Sequence, residues 1–261
     1  MGRYSFSTAA LFPRDSADSL KLVGEAGFEY AELMPQCFSD VGDAFALKAE
    51  KCGVKVGSIH YPLAMFALLY NAHPGMCADG REFGRKLVKM AARLGVSVIV
   101  IHPHDPCFDS RFKRALEDPI VDNIVDLSEA CEASGVKLAM ENSPKGPGHS
   151  PDALLSYIAS FGKRAKLVPM VDTTEACEAN EDPALFIAKT KPAHLHLSDH
   201  VGETKHLPAG EGEIDWKKVR SALGDYKGLY TLEPAYRYYL EDAPEKLAKA
   251  RRFIEAFAEQ R

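Results

Sequence analysis

Six residues able to ligate a cation or move a proton, His60, His102, Glu141, Asp172, His196 and Glu233, stand at or just past the ends of short, mainly apolar runs. The clearest run is Pro192 to Asp199, Pro-Ala-His-Leu-His-Leu-Ser-Asp. Its alternation places His194, His196 and Ser198 on one face of a strand and Leu195 and Leu197 on the other. A strand that finishes in imidazoles and a hydroxyl, followed by Asp199 and His200, points into a polar chamber rather than into packed hydrocarbon. Three carboxylates and three imidazoles in one chamber conflict as free groups, because close carboxylates raise one another's pKa and burial adds to the cost. A divalent cation resolves that conflict. Glu141, Asp172, His196 and Glu233 together suit an open site for Mn²⁺ or Zn²⁺, with Mg²⁺ or Co²⁺ also compatible, better than a closed thiolate zinc site. Any one of the six taken alone reads better as a satisfied polar group at a strand end than as a ligand, and a purely structural polar network is the competing account.

A common mouth requires parallel strands ending on one side, and the chain supplies them. Tyr4 to Thr8 predicts a first strand, and Ser16 to Ala26 a helix with Asp15 or Ser16 as cap and Gly27 beyond its end. A strand at Phe28 to Met34, a helix at Asp43 to Cys52 and a strand at Val54 to His60 follow, then an excursion from Tyr61 to Ala78. Arg81 to Leu94 is a helix stopping at Gly95, and Val96 to Ile101 is a largely β-branched strand leading to His102. Ile120, Ile124, Leu127 and Cys131 form one helical face, after which Val136 to Met140 leads to Glu141. A helix at Asp152 to Phe161, a strand at Leu167 to Val171 leading into Asp172, and a short helix at Pro183 to Lys189 precede the Pro192 to Asp199 strand. The chain finishes with a helix at Asp215 to Leu223, a strand at Leu229 to Leu232 leading to Glu233, and a helix capped by Asp242 with Pro244 in its first turn. Eight β-then-α units, without a Gly-x-Gly-x-x-Gly after the first strand, predict an α/β fold of the closed (β/α)8 type, one domain over residues 1–261.

The 261 residues, 46% of them hydrophobic, are enough for one large core. A formal net charge of -5 gives no general attraction to a phosphate backbone or an anionic membrane, so a nucleic-acid partner is disfavoured. No apolar run approaches ~20 residues, and Met1-Gly2-Arg3-Tyr4 lacks the layout of a secretory signal, so a cytoplasmic protein without a membrane partner is expected. Cys37, Cys52, Cys77, Cys107, Cys131 and Cys177 are dispersed without a Cys-x-x-Cys and read as reduced thiols. Association into a homo-oligomer is compatible with this sequence.

Met140-Glu141-Asn142, Val171-Asp172-Thr173-Thr174, His196-Leu197-Ser198-Asp199, Gly210-Glu211-Gly212-Glu213-Ile214-Asp215 and Leu232-Glu233-Pro234 resemble, in order, the motifs of the xylose isomerase-like TIM barrels. That superfamily holds sugar and sugar-phosphate isomerases and epimerases, inosose and dehydroshikimate dehydratases, and AP endonucleases of the endonuclease IV type. In the epimerase branch the resemblance implies that Glu141, Asp172, His196 and Glu233 bind one divalent metal, with the two glutamates as acid and base. In the nuclease branch it implies a second zinc on His60, His102 and the shared Glu141. Two departures stand out: Glu175 occupies a position where many members have His, and Gly202 lies near where the epimerases place an Arg. The nucleases' third zinc also draws on an Asp-x-His, where this chain has Thr204-Lys205-His206, so only His206 of that site survives.

A cation chelated by the carbonyl and neighbouring hydroxyl of a sugar acidifies the C–H on the hydroxyl-bearing carbon, and Glu141 and Glu233 can remove and return that proton through an enediolate. The expected activity is isomerisation or epimerisation of a small sugar, sugar phosphate or related polyol. A dehydratase on an inosose-like substrate, an endonuclease IV-like nuclease and a non-catalytic polyol-binding barrel are the alternatives. His60, His102, Glu175, His206 and Glu32 are candidates for substrate contact or a second metal, Glu32 reading equally as an ion-pair partner at the rim. Lys145, Lys205 and Arg237 lie on loops that could hold an anion but read better as solvated charge, and Trp216, Tyr236, Tyr238 and Tyr239 as packing.

Overall fold

Residues 3–104 and 110–259 are described by the computed structural model, which leaves Cys107 and the Met1-Gly2 start outside the described residues. Eight parallel strands close into a barrel: β1 (Tyr4–Ser7), β2 (Tyr30–Leu33), β3 (Lys55–His60), β4 (Val98–Ile101), β5 (Lys137–Met140), β6 (Leu167–Asp172), β7 (His194–Leu197) and β10 (Tyr230–Leu232), with β10 returning to pair with β1. The predicted (β/α)8 barrel is therefore the observed one. Helices α1 (Ser16–Glu25), α2 (Asp43–Ala49), α4 (Pro74–Leu94), α5 (Asp118–Ala133), α6 (Pro151–Ser160), α8 (Pro183–Thr190), α9 (Trp216–Leu223) and α10 (Ala243–Glu259) surround it. Asp15 caps α1 as its sequence position predicts, its carboxylate accepting from the N–H groups of Ala17 and Asp18.

Outward strand residues such as Phe6, Leu33, Ile59, Ile99, Leu138, Leu195 and Leu232 pack against the helices in one continuous core. Phe6 meets Tyr239 edge-on at 5.2 Å and Trp216 meets Phe253 at 5.2 Å, so Tyr239 and Trp216 are packing residues. Inside the barrel a second, smaller cluster of Val98, Val100, Ala139 and Met170 fills the β4–β6 side. The opposite side is polar.

Three stretches depart from the sequence expectation. The excursion after β3 contains the short helix α3 (Phe66–Leu69), and α4 begins at Pro74 rather than Arg81. His73 caps it and Pro74 opens it, while Gly75, Gly80 and Gly84 obscure its pattern; Gly80 is needed because a Cβ there would collide with the Leu68 carbonyl oxygen. Asp172 ends β6 and also starts helix α7 (Thr173–Glu178), a continuation missed by reading the Asp only as a strand end. Finally, the seventh strand leaves the barrel at Leu197, and Asp199–Val201 and Thr204–Leu207 form the antiparallel hairpin β8–β9. Asp199 turns away from the chamber: its carboxylate accepts from the N–H groups of Gly210 at 2.8 Å and Ile214 at 3.1 Å and from Trp216 Nε1 at 2.9 Å. It anchors the Gly210–Asp215 turn.

The described cysteines Cys37, Cys52, Cys77, Cys131 and Cys177 are free thiols. Among the described residues, no helix is long and apolar enough to cross a membrane.

Candidate metal centre and active site

Parallel strands bring their last residues to one mouth, and there four predicted ligands meet. One donor atom each from Glu141, Asp172, His196 and Glu233 lies within 4.8 Å of the others. Donors about 2.0–2.2 Å from a common cation stand roughly 3–4.3 Å apart, so the set is close to ligating geometry. His196 is at its centre. Its Nδ1 lies 2.6 Å from Glu233 Oε2 and 3.1 Å from Glu141 Oε1, and the ring is fully buried.

Each carboxylate is held from its other side. Ser7, at the end of β1, donates its hydroxyl to Glu233 Oε1 at 2.9 Å. Asn142, just past β5, accepts the Asp172 N–H at 2.7 Å and donates to the Asp172 carbonyl at 3.1 Å, locking the ends of β5 and β6 together. Asp172 Oδ1 caps α7 by accepting from the N–H groups of Thr174 at 2.6 Å and Glu175 at 3.0 Å. Its Oδ2 is buried without a hydrogen-bond partner, as is Glu141 Oε2. The orphaned Asp172 oxygen in the middle of a ligand set fits a cation, since such a group otherwise bears an uncompensated desolvation cost.

His60 and His102 form a second wall around Glu141. Their Nε2 atoms are 3.1 Å apart, and Glu141 Oε2 lies 3.4 Å from His60 Nε2 and 3.0 Å from His102 Nε2. His60 Nδ1 bonds the Tyr61 carbonyl at 2.7 Å, which turns its other nitrogen to the chamber. Phe66 on α3 covers His102 edge-on at 5.1 Å, and the Tyr70 hydroxyl donates to the His102 carbonyl at 2.5 Å. The segment read as an excursion thus walls the chamber.

Glu175 and His206 pair beside the mouth, His206 Nε2 at 3.2 Å from Glu175 Oε1, with Ser198 Oγ 3.3 Å from His206 Nδ1. Together with Glu178 they form a third ligand-capable group. Glu32 is placed differently from the rim position expected for it. It is fully buried below the mouth, bonded to His194 Nε2 at 2.7 Å. Ser7 and His194 complete the site without having been singled out from sequence as site residues; alternation pointed to His194, while nothing distinguished Ser7 from any strand serine.

The charges follow from this packing. Burial opposes ionisation of Glu141, but His196 and His102 outweigh it and hold the carboxyl well below its ordinary range. Burial also opposes a charged His196, yet Glu233, Glu32 and Glu141 push its pKa well above the ordinary value. Asp172 goes the other way: burial pushes it up to about 7, with His206 opposing and Glu141 and Glu175 reinforcing. Acidic groups here outnumber the positive charge available to them, so protons stand where a cation would serve.

Residues 20–257 match the family model described as xylose isomerase-like TIM barrel. An uncharacterized protein of Methanocaldococcus jannaschii is 24% identical over 156 residues, 58% of this chain, and the match spans 60% of that relative's length. Among solved structures, a D-tagatose 3-epimerase-like protein superposes with a TM-score of 0.77 at 20% identity, covering 98% of this chain and 97% of its own. An L-ribulose 3-epimerase gives 0.76 at 19% identity, covering 99% and 95%. The D-allulose 3-epimerase of a Methylomonas species, solved with D-allulose, gives 0.75 at 16% identity, covering 98% and 96%.

Proposed function

The chain belongs to the xylose isomerase-like TIM barrel family, and from that premise we propose that it is a divalent-metal-dependent isomerase or epimerase of a small sugar or related polyol. The observation that carries the reading is the arrangement of Glu141 and Glu233 on either side of one buried imidazole nitrogen, beside an Asp172 oxygen with no partner. A divalent cation held by Glu141, Asp172, His196 and Glu233 would supply Lewis acidity to a carbonyl and its neighbouring hydroxyl. Glu141 and Glu233 come from strands β5 and β10, which are not neighbours in the barrel, so one can take the C–H proton while the other delivers a proton elsewhere on the enediolate. Ser7 fixes Oε1 of Glu233 and leaves Oε2 facing inward. His102, Glu175 and His206, at the open edge, offer polar contacts for substrate hydroxyls. Lys205 is tied to Glu178 at 2.8 Å and Arg237 to the Lys205 carbonyl at 2.8 Å, which favours a sugar without a phosphate. The ketoses named for the structural neighbours, D-tagatose, L-ribulose and D-allulose, are of that kind.

The group His60, His102 and Glu141 supports a second reading, in which the same mouth holds two cations. Metal stoichiometry separates the two.

The test is solvent exchange. Metal-loaded protein incubated with these ketoses in D₂O is expected to incorporate deuterium beside the carbonyl, and Glu141→Gln to lower the rate by about 10³-fold with the fold intact. Absence of exchange with every ketose, ketose phosphate and inosose tried would remove the isomerase reading. Net loss of water from an inosose would favour a dehydratase, and salt-sensitive binding and cleavage of abasic duplex DNA a nuclease.

A further inference from the structure

Below the mouth a buried chain of side chains crosses the barrel. Strands β2 and β7 are not neighbours, since β1 and β10 lie between them. Alternation turns Ser5 and Thr231 of those two strands inward, opposite one another in register, and both are short enough to leave room for a longer side chain reaching across. Glu32 fills that room. The β2–β3 register steps at Ala31/Glu32, so that Ala31 pairs with Val56 and Glu32 with Ser58, leaving Gly57 as the extra residue of a bulge. A Cβ at Gly57 would lie 2.5 Å from Leu229 Cδ1 and 3.0 Å from Tyr30 Cδ1, so a larger residue in the bulge would displace those side chains.

The carboxylate so aimed touches two imidazoles. Glu32 Oε2 accepts from His194 Nε2 at 2.7 Å, and Glu32 Oε1 lies 2.7 Å from His196 Nε2, a close ionic contact outside hydrogen-bond angles. All three residues are at most 1% exposed. Neither Glu32 nor His194 faces the mouth, yet the second nitrogen of His196 does, between Glu141 and Glu233.

A neutral imidazole carries one N–H, and the stronger acceptor decides which nitrogen bears it. Two carboxylates flank Nδ1 of His196, so with nothing at Nε2 the proton would settle on Nδ1, where it blocks ligation. A third carboxylate at Nε2 opposes that preference, and with Glu141 and Glu233 engaged by a cation it is the acceptor left for the proton. We propose that Glu32 is a positioning residue that keeps the His196 proton on Nε2 and Nδ1 free to ligate, and that His194 holds the Glu32 carboxylate in place. The assignment rests on the metal reading above and goes beyond it, because it gives a role to two residues outside the four ligands proposed there. Outer partners of this kind orient ligating histidines generally, and their loss weakens metal binding.

The experiment titrates Mn²⁺ into metal-free wild type, Glu32→Gln and His194→Gln by calorimetry, with circular dichroism and melting to establish folding. It also reads the His196 tautomer by ¹⁵N NMR of the Zn²⁺-loaded, histidine-labelled proteins. Folded Glu32→Gln is expected to bind Mn²⁺ about 10- to 100-fold more weakly. The wild type should show an Nε2–H on His196 shifted downfield by the Glu32 carboxylate, a shift that Glu32→Gln loses and that a merely structural contact would not produce. His194→Gln should weaken binding by a smaller factor and decides the matter if Glu32→Gln does not fold. Unchanged Mn²⁺ affinity in the folded variants, with normal wild-type binding, overturns this assignment alone. Wild type that binds neither Mn²⁺ nor Zn²⁺ overturns both this and the metal reading it rests on.

Discussion

On the β4, β5 and β6 side of the barrel interior, the inward positions below the mouth are Val98, Val100, Ala139 and Met170, packed as a cluster of their own. On the β1, β2, β3, β7 and β10 side the inward positions are Ser5, Glu32, Ser58, His194 and Thr231, all at most 1% exposed. The first side is ordinary close-packed barrel core. The second leaves the hydroxyls of Ser5, Ser58 and Thr231 without hydrogen-bond partners, a cost that a hydrocarbon filling would not carry. The difference marks where polar side chains continue below the rim. Glu141 and Asp172, rising from the apolar side, are supported by neighbours at the mouth, whereas His196 is supported from underneath by Glu32.

If that partition is right, substitutions on the two sides should fail in different ways. The largest effect on stability is expected on the apolar side, where Met170→Ala should cost about 2–5 kcal/mol in denaturant unfolding while metal stoichiometry stays that of the wild type. Lost metal binding with unchanged stability would break the comparison.

The next effect is one of pH and belongs to the polar side and the mouth. Burial opposes charge on His60 and His206, but Glu141 beside the first and Glu175 beside the second raise both to about 9. The folded metal-free chain therefore keeps protons that the unfolded chain releases from about pH 6.5 upward. The stability these pairs contribute is complete below about pH 6.5 and is lost as the pH rises through about 9. Asp172, raised to about 7, adds a loss of the same sign between about pH 4 and 7. Metal competes with those protons, so the rise in Tm on adding Mn²⁺ should grow from pH 6 to pH 9. A pH-independent rise would mean that the mouth carries no such protons.

The smallest effect sharpens the account of the unpartnered hydroxyls. Thr231→Val keeps the shape and removes a buried oxygen, and should raise stability by about 1 kcal/mol. A loss of that size would indicate an internal water on Thr231 and make the polar side hydrated rather than dry.

The sequence by itself determined the βα alternation and the strand ends where His60, His102, Glu141, Asp172, His196 and Glu233 stand. Those features depend on local periodicity, apolar patterning and caps, all carried by residues near one another in the chain. Asp172-Thr173-Thr174-Glu175 even has the Asp-x-x-Glu spacing of a helix start, so α7 was within reach of the same logic. The hairpin after β7 was not, because Asp199 is turned outward by the Gly210, Ile214 and Trp216 donors that the fold brings back to it from 11, 15 and 17 residues away. Ser7 on Glu233 and Glu32 beneath His196 lie 226 and 164 residues from their partners and were decided only by closure of the barrel. A strand's two-residue period says which side chains face inward. The register across β1 and β10, the bulge at Gly57 and the small side chains of Ser5 and Thr231 decide which of them touch.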